Sequence, residues 1–427
     1  MQGVLQDQAD EIEGANMKKK GVFLRRISAL ALAFSIMLGM LAAPQEVSAA
    51  NLVEEYRDMI GQGGYIYYIK SRTTAEGDGA VIYRMKVSTA EKSKVLEAKK
   101  GVLSMCISGG SLFYTTYSED GKDWEIWRCN LDGSGAEKVC DGYVCHANGD
   151  TVYGIKYVSD KTRLFCRDLA SKKSTSIRTV KERVVLDYVC NVGTTGYYYT
   201  YNWETDKVTL YSLPAKSTKL IKVATEKRND NDSTTALLVS DVKQVDGELY
   251  YDYGSYVGTA NYWYGTIKKL TVDGKKKTVG KDVGNDEIIV GSRELYYNDA
   301  LVDTYYKYSF STGKSAKYSL AYKKDVSYII LGDKTYMADT SNKKKITISR
   351  FNSGTAQETL TKNFITIPFK QKTNVSYTVS MKQVGIYNMV CVKGIDYTDA
   401  SYGWRGNLVS INWYITDGAG TVLGSFS

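Results

Sequence analysis

Catalytic residue types are scarce in this 427-residue chain, so few kinds of chemistry are open to it. Its one histidine, His146, would have to serve in any Ser-His-Asp or Cys-His arrangement. It follows Cys145 in a segment with the pattern of an inner β-strand, which favours a structural role. One histidine rules out a multi-histidine metal site, and the seven cysteines contain no Cys-x-x-Cys pair. We therefore predict no catalytic residue, no metal and no cofactor.

Carboxylates leave one catalytic possibility open. The chain has 47 Asp and Glu residues, and two suitably spaced carboxyl groups are enough for glycoside hydrolysis. No pair stands out, because spacing along a chain does not give spacing in the fold. The segment Thr312-Gly313-Lys314-Ser315 resembles the end of a phosphate-binding loop, but Tyr308 stands where the leading glycine belongs. We interpret that segment as a turn between strands.

Residue types that suit ligand binding are concentrated in two long connections, residues 225–236 and 253–264. The second is rich in aromatic side chains, which stack on sugar rings, and the first contains carboxylates, which bind hydroxyl groups. Trp203 lies in a turn that we expect to flank both. The predicted ligand-binding residues are Trp203, Tyr253, Tyr256, Tyr262, Trp263, Tyr264, Asp230 and Asp232. The alternative is a pair of variable loops whose tyrosines pack on their own sheet.

A recurring tyrosine-rich phrase indicates which elements carry these residues. Its first copy is Tyr65-Ile66-Tyr67-Tyr68, and seven copies follow one another at intervals of 40 to 52 residues. The longest interval contains the first of the two long connections. Self-similarity at about 45 residues, with strand-forming side chains, is typical of the blades of a β-propeller. The anchor residues of the seven copies are Tyr67, Phe113, Tyr153, Tyr198, Tyr250, Tyr296 and Tyr336.

Each repeat unit has the pattern of a four-stranded antiparallel meander. In the second unit, four strand-like segments lie between residues 102 and 140, and turns rich in Gly and Asp separate them. The 36 tyrosines suit strands whose rings pack on the next sheet. We predict an all-β fold, a seven-bladed β-propeller of four-stranded antiparallel blades over residues 51–365. The anchor tyrosines are expected in the second strand of each blade, where they mainly pack.

The units resemble the propellers of unknown function that are common in secreted proteins of Firmicutes. These are also described as similar to the propeller of the low-density-lipoprotein receptor. The residues that carry the resemblance are Tyr65–Tyr68, Ile82-Tyr83-Arg84 and Asp132-Gly133-Ser134-Gly135. The resemblance covers about residues 51–365 and implies a secreted propeller. It implies no activity, because the family has none assigned.

The last segment, residues 366–427, has a different texture. The phrases Tyr377-Thr378-Val379-Ser380 and Trp413-Tyr414-Ile415-Thr416-Asp417-Gly418 resemble bacterial pre-peptidase C-terminal domains. This resemblance implies a small β-sandwich after the propeller. The alternative is an eighth blade with Ile386-Tyr387 as its anchor.

The first 49 residues have the features of targeting segments. Residues 17–49 combine a basic start, an apolar run from Ile27 to Ala43 and the small-residue site Val47-Ser48-Ala49, as in a cleaved signal peptide. Residues 1–16 are acidic and precede Met17, a more suitable start, so we interpret them as a non-native leader. Since no cysteine directly follows the apolar run, we predict no stable membrane anchor and a secreted protein, extracellular or cell-wall associated.

The net charge of +9 comes mostly from lysines in turns, where they keep β edges from pairing with other chains. An exported chain without a basic stripe is not expected to bind nucleic acid, whereas attraction to an anionic polysaccharide stays open. We predict a secreted binding module that recognises a glycan or a protein at the cell surface. The alternatives are an extracellular propeller hydrolase or lyase acting on polysaccharide, and a structural module of a larger surface protein.

Overall fold

Eight antiparallel β-sheets make up the part of the chain that the structure describes. The computed structural model describes residues 56–74, 77–228, 235–257, 262–284, 288–299, 304–318, 320, 325–351, 359–398 and 407–426. Each sheet contains four strands that are consecutive in the chain. We number the sheets as blades 1 to 8 and name the strands of each blade A to D in chain order. The predicted leader and signal peptide lie outside the described residues.

The strands of the first four blades run from residue 56 to residue 227. Blade 1 contains β1 (Tyr56–Gln62), β2 (Tyr65–Thr74), β3 (Gly77–Lys86) and β4 (Glu91–Ala98). Blade 2 contains β5 (Ser104–Ser108), β6 (Ser111–Tyr117), β7 (Trp124–Asn130) and β8 (Glu137–Asp141). Blade 3 contains β9 (Tyr143–Asn148), β10 (Thr151–Val158), β11 (Lys161–Asp168) and β12 (Ser174–Val180). Blade 4 contains β13 (Val184–Val192), β14 (Thr195–Asn202), β15 (Lys207–Leu213) and β16 (Ile221–Lys227).

The other four blades repeat the same strand order up to residue 426. Blade 5 contains β17 (Leu238–Val245), β18 (Glu248–Val257), β19 (Tyr262–Leu270) and β20 (Lys276–Val283). Blade 6 contains β21 (Ile289–Val290), β22 (Glu294–Asn298), β23 (Tyr305–Ser309) and β24 (Ser315–Tyr318). Blade 7 contains β25 (Val326–Leu331), β26 (Lys334–Asp339), β27 (Lys345–Phe351) and β28 (Thr359–Pro368). Blade 8 contains β29 (Val375–Val384), β30 (Tyr387–Asp396), β31 (Asn407–Thr416) and β32 (Val422–Phe426).

The recurring tyrosine phrase forms strand B of blades 1 to 7, as the sequence predicts. Two-residue turns such as Gly63-Gly64 precede it, and both of these glycines have a positive φ, which the tight hairpin turn requires. All seven anchor side chains are at most 2 % exposed, so their rings are packing groups. The prediction that the anchors mainly pack is confirmed.

Successive blades share apolar cores, and these cores close into a ring. Strand A of one blade contacts strand A of its neighbour, for example at β1–β5 and at β29–β1, so the A strands lie innermost. A core lies between every pair of neighbours, including blades 8 and 1. The cores contain Ile69 and Leu112, Phe113 and Phe165, Leu164 and Leu186, Leu210 and Val242, Ile267 and Leu295, Tyr318 and Ile330, Ile348 and Val390, and Met389 and Ile66.

The ring has eight blades, so the prediction of seven is wrong and its eight-bladed alternative is right. Residues 375–426 form blade 8, and no separate sandwich occurs in the described part of the chain. Blade 8 packs on blade 1 through stacked rings of Phe426 and Tyr68, whose centroids are 4.5 Å apart. Blade 8 lacks the tyrosine-rich phrase because Met389 occupies the anchor position. This position lies three residues after the A–B turn, where the other blades have an aromatic ring. Met389 is fully buried in that core, because a flexible thioether adapts to an apolar gap that an aromatic ring fills elsewhere.

No helix in the described residues is long and apolar enough to cross a membrane.

Candidate functional site

An aromatic group spans blades 2 and 3 where strand B ends and strand C begins; we call this side of the ring the B–C face. Trp124 is the first residue of β7, Tyr143 is the first residue of β9, and Tyr157 lies near the end of β10. The Trp124 ring meets both tyrosine rings edge-on, with centroids 5.5 Å from Tyr143 and 5.3 Å from Tyr157. Tyr157 is 43 % exposed, so part of its large ring faces solvent while Trp124 holds the ring in place.

Asp187 supplies a carboxyl group beside these rings. It lies in β13 opposite Tyr199, close to the B–C face. Its Oδ1 accepts a hydrogen bond of 2.8 Å from the backbone N–H of Tyr188. Burial nevertheless raises the pKa of the Asp187 carboxyl to about 7, because one hydrogen bond does not offset the lost hydration of the charge. The group is therefore divided between its neutral and charged forms near neutral pH.

Electrostatic coupling connects Asp187 with the aromatic residues. Its negative charge adds to burial in raising the pKa of the Tyr157 hydroxyl. The same charge, together with Tyr157 and Tyr256, adds to burial in raising the pKa of Tyr199. We name Trp124, Tyr143, Tyr157, Asp187, Tyr199 and Tyr256 the aromatic–acid cluster. Its members come from blades 2, 3, 4 and 5, so the ring of blades is what brings them together.

Asp241 of blade 5 shows why the environment of Asp187 is unusual. Both residues lie in strand A opposite the fifth residue of strand B. Asp241 accepts backbone hydrogen bonds from Val242 at 2.8 Å and, across the blade boundary, from Ile288 at 2.9 Å. It also lies 3.0 Å from the ammonium group of Lys243. Asp241 is thus a structural link between blades 5 and 6, whereas Asp187 lacks this set of donors among the described hydrogen bonds.

The predicted loop 253–264 is mostly a β-hairpin. Strands β18 and β19 continue along it, with Tyr253 opposite Thr266 and Tyr256 opposite Trp263. The reason is that consecutive aromatic side chains favour extended pairing over a loop. Residues 258–261 lie outside the described residues.

Trp263 and Tyr253, two predicted binding residues, lie inside the protein. Trp263 is 3 % exposed, and its indole N–H donates to Oδ2 of Asp252 at 2.7 Å. The Ser240 hydroxyl donates to the same oxygen at 3.2 Å. Tyr253 is 5 % exposed and belongs to the core between blades 4 and 5. In these positions both residues support the face from beneath.

Three other predicted residues lie closer to the surface. Tyr256 packs edge-on against Trp263, with ring centroids 5.2 Å apart, and belongs to the aromatic–acid cluster. The Tyr264 hydroxyl donates to Asp282 at 2.6 Å. Trp203 packs edge-on against Tyr201 at 4.9 Å. All three are partly buried, so each presents only part of its side chain to solvent.

The remaining predicted residues cannot be placed at a site. The side chain of Tyr262 lies outside the described part, although its backbone is in β19. Asp230 and Asp232 lie wholly outside it. Binding by the eight predicted residues stays a prediction.

Sequence reasoning missed Trp124, Tyr143, Tyr157 and Asp187. Each lies in a strand of ordinary length, so no break in the repeat spacing marks it. The available signal was the position of the three aromatic residues at strand ends beside B–C turns or D–A connections. For Asp187 it was an acid within an inner strand that otherwise reads as apolar.

His146 is a core residue at the boundary of blades 3 and 4. It is 3 % exposed and stacks on Tyr153 with ring centroids 4.5 Å apart. Burial lowers the pKa of its ring to about 4, so the imidazole is neutral at physiological pH. All seven cysteines are free thiols, and no group of three or more metal-ligating side chains converges among the described residues.

No protein-family model matches the sequence, and no curated protein matches it. Several solved structures are similar at low identity. One is a prolyl endopeptidase, at 11 % identity and a TM-score of 0.48, with 80 % of this chain and 55 % of that chain covered. Another is prolyl oligopeptidase B from Galerina marginata, at 10 % identity and a TM-score of 0.45, with coverages of 80 % and 55 %. This chain thus spans about half the length of those peptidases.

The propeller domain of the Trilobed protease from Pyrococcus furiosus is also similar, at 11 % identity and a TM-score of 0.39. There, 87 % of this chain and 96 % of that chain are covered. The eight sheets and their closed ring of cores define this chain as a β-propeller, and the similarities concern that fold alone.

Proposed function

We propose that this protein is a secreted binding module that takes a glycan on its B–C face, at the aromatic–acid cluster. The observation that carries the proposal is the exposed ring of Tyr157 held edge-on by Trp124, next to Asp187. Aromatic faces suit the C–H faces of sugar rings, and a carboxyl group beside them suits sugar hydroxyls.

The pKa of Asp187 adds to this interpretation. Near neutral pH its carboxyl group is present in both forms, so it can donate a hydrogen bond to a sugar hydroxyl or accept one. The partly buried position strengthens such a bond relative to one in water. A ligand here would rest on residues of several blades, which fixes its orientation more firmly than a single loop would.

Localisation at the cell surface rests on the sequence features of residues 17–49 and on the absence of a cysteine directly after the apolar run. The positive net charge favours approach to anionic cell-wall polymers. Absence of binding to every glycan of an array would instead favour a cell-surface protein as the ligand, or a structural role in a larger surface protein.

A glycan array with the wild-type protein, followed by calorimetry on the best ligand, tests the proposal. We expect Tyr157→Ala to weaken binding about tenfold, which corresponds to ~1.4 kcal/mol. The matched control is Tyr397→Ala, which removes a similarly exposed tyrosine (51 %) on blade 8 and should leave the affinity unchanged. Binding that Tyr157→Ala and Asp187→Asn both leave intact, or that occurs only to proteins, would overturn the glycan site.

A second candidate function is a polysaccharide hydrolase or lyase. The observation that favours it is the raised pKa of Asp187, because a carboxyl group that is protonated near neutral pH can serve as a general acid. Turnover of a polysaccharide by the wild type, lost in Asp187→Asn while binding persists, would establish this activity in place of simple binding.

A further inference from the structure

A cavity of about 400 Å³ opens between blades 3 and 4, and none of its lining residues belongs to the aromatic–acid cluster. Its volume lies within the range of about 300–1,000 Å³ that small-molecule sites occupy. It is lined by residues of β12 and the connection that follows it, and by residues of blade 4 on the side that faces blade 3. These are Arg178, Val180, Lys181, Val184, Thr200, Asn202, Thr205, Lys207, Thr209 and Tyr211.

The cavity exists because the side of β15 that faces blade 3 is polar along most of the strand. Val208 and Leu210 point to the other side, into the core between blades 4 and 5. Lys207, Thr209 and Tyr211 alternate with them and line the cavity. Leu213, at the end of β15, also lies on the side that faces blade 3. It belongs to the apolar core between blades 3 and 4. The two blades therefore pack closely at one end and stand apart at the other.

The lining is cationic, and no acidic residue is part of it. Arg178, Lys181 and Lys207 line the cavity, and none of them takes part in an ion pair with another described residue. The nearby Glu204 lies 3.8 Å from Arg183, in a pair whose side chains are both more than 60 % exposed. Three cations around one cavity repel one another, and a bound anion would relieve that repulsion.

Hydrogen-bond donors accompany the charge. The guanidinium of Arg178 lies over the Tyr211 ring, 4.6 Å from its centroid, which orients the group while leaving its edge N–H donors available. Oδ1 of Asn202 already accepts from the backbone N–H groups of Glu204 and Thr205, at 2.8 and 3.1 Å. The amide NH₂ of Asn202 is thus left as a donor. The hydroxyls of Thr200 and Thr205 suit a ligand that carries hydroxyl groups of its own, whereas the Thr209 hydroxyl shares a hydrogen bond of 3.0 Å with that of Thr225.

We propose that this cavity binds the acidic group of an anionic polysaccharide, which is a carboxylate, sulfate ester or phosphate ester on a sugar. The cations and planar guanidinium recognise the oxyanion, and the hydroxyl and amide groups recognise the sugar. The cations are confined to one cavity rather than extended along a stripe, which fits a short acidic segment and not a nucleic-acid backbone.

Calorimetric titration with four trisaccharides of matched length tests this site. One carries uronate carboxylates, one sulfate esters, one phosphate esters, and one is neutral. We expect at least one acidic trisaccharide to bind at least tenfold more tightly than the neutral one, with an affinity that falls as NaCl rises from 20 to 200 mM. The acid that binds identifies which of the three sources the site takes.

Two variants assign the binding to the cavity. Lys207→Gln and Arg178→Gln are each expected to weaken the acidic trisaccharide about tenfold. Lys314→Gln, the control, removes the same charge from an exposed turn of blade 6 and should leave the affinity within twofold. The thermal midpoint of each variant is measured alongside. Arg178 also packs on Tyr211, so Arg178→Gln could unfold the protein; in that case the result for Lys207→Gln is the deciding one.

Equal binding of acidic and neutral trisaccharides, or unchanged binding in Lys207→Gln, would overturn the proposal. The site at blades 3 and 4 is independent of the proposed function. Tyr157→Ala is expected to leave the acidic trisaccharide bound, so failure at the aromatic–acid cluster and failure here are distinguishable.

Discussion

The hydroxyl of Tyr198 on blade 4 shares a hydrogen bond of 3.1 Å with Nδ1 of His146 on blade 3. Both side chains are buried, and His146 is also stacked on Tyr153 of its own blade. The one histidine of the chain therefore joins two blades at the centre of their shared core. A neutral ring is required there, because no described carboxylate contacts it to offset the cost of burying a charge.

This arrangement predicts loss of stability in acid. The pKa of His146 is about 4 in the folded protein and 6.5 in an unfolded chain, so the unfolded state binds the proton more tightly. The stability that the neutral ring contributes is fully present above pH 6.5 and is lost as pH falls towards 4. His146→Phe keeps an aromatic ring but cannot titrate. We expect the stability advantage of the wild type over His146→Phe, from urea unfolding, to shrink by about 3 kcal/mol between pH 7 and pH 4.

An advantage that stays constant with pH would show that His146 is protonated without cost. The comparison must be made between variant and wild type at each pH, because Asp187 titrates across an overlapping range.

Asp187 is expected to have the opposite effect on the pH dependence of stability. Its pKa is about 7 when folded and 3.8 when unfolded, so the folded state binds the proton more tightly between these values. Stability contributed by the neutral acid is present at low pH and lost as pH rises through 7. We expect Asp187→Asn to gain stability relative to the wild type from pH 4 to pH 8, measured by urea unfolding. Asp241→Asn is the matched control and should be destabilising, because it weakens the link to Ile288. A parallel response of the two variants would contradict the assignment.

Two glycines in equivalent turns give a prediction about packing. Gly133 and Gly274 both follow an aspartate in a C–D turn and have φ values of +90° and +80°. A Cβ at Gly133 would overlap the carbonyl group of Val95 on blade 1, whereas a Cβ at Gly274 would meet nothing within 4 Å. Gly274→Ala should cost only the strain of its backbone, about 1 kcal/mol. Gly133→Ala should cost about 1–3 kcal/mol more, through displacement of blade 1. Thermal unfolding measures both, and equal costs would show that the turn moves freely.

The repeat architecture was readable from the sequence, because each of blades 1 to 7 buries large aromatic rings in strand B. Tyr67 and Tyr250 fill equivalent positions in their cores, and the chain between them must complete whole blades. The repeat did not indicate the eighth blade, because the core between blades 8 and 1 has Met389 where the other cores have an aromatic ring. Packing demands volume and apolar character, and a phrase of particular letters is only one way to supply them.

The candidate sites were less predictable, since they depend on which blades become neighbours in the ring. Trp124 and Tyr157 are in contact only because strand C of blade 2 begins beside the end of strand B of blade 3. Trp263 looks like a binding residue in the sequence, yet the fold turns its indole N–H inward to Asp252. Exposure and partners are properties of the assembled ring, which local sequence does not encode.

Closure of the ring through blade 8 gives the last prediction. Phe426 is 4 % exposed, stacks on Tyr68 of blade 1 and contributes to the core that joins the two blades. Phe426→Ala should destabilise the whole propeller by about 3–5 kcal/mol in a single unfolding transition, because a large buried ring is lost. Tyr397→Ala, which removes an exposed ring on the same blade, should change stability by less than about 0.5 kcal/mol.

Deletion of residues 375–427 should leave apolar faces of blades 1 and 7 uncovered and yield an aggregating chain. A soluble, cooperatively folded deletion variant would instead mean that seven blades close without the eighth.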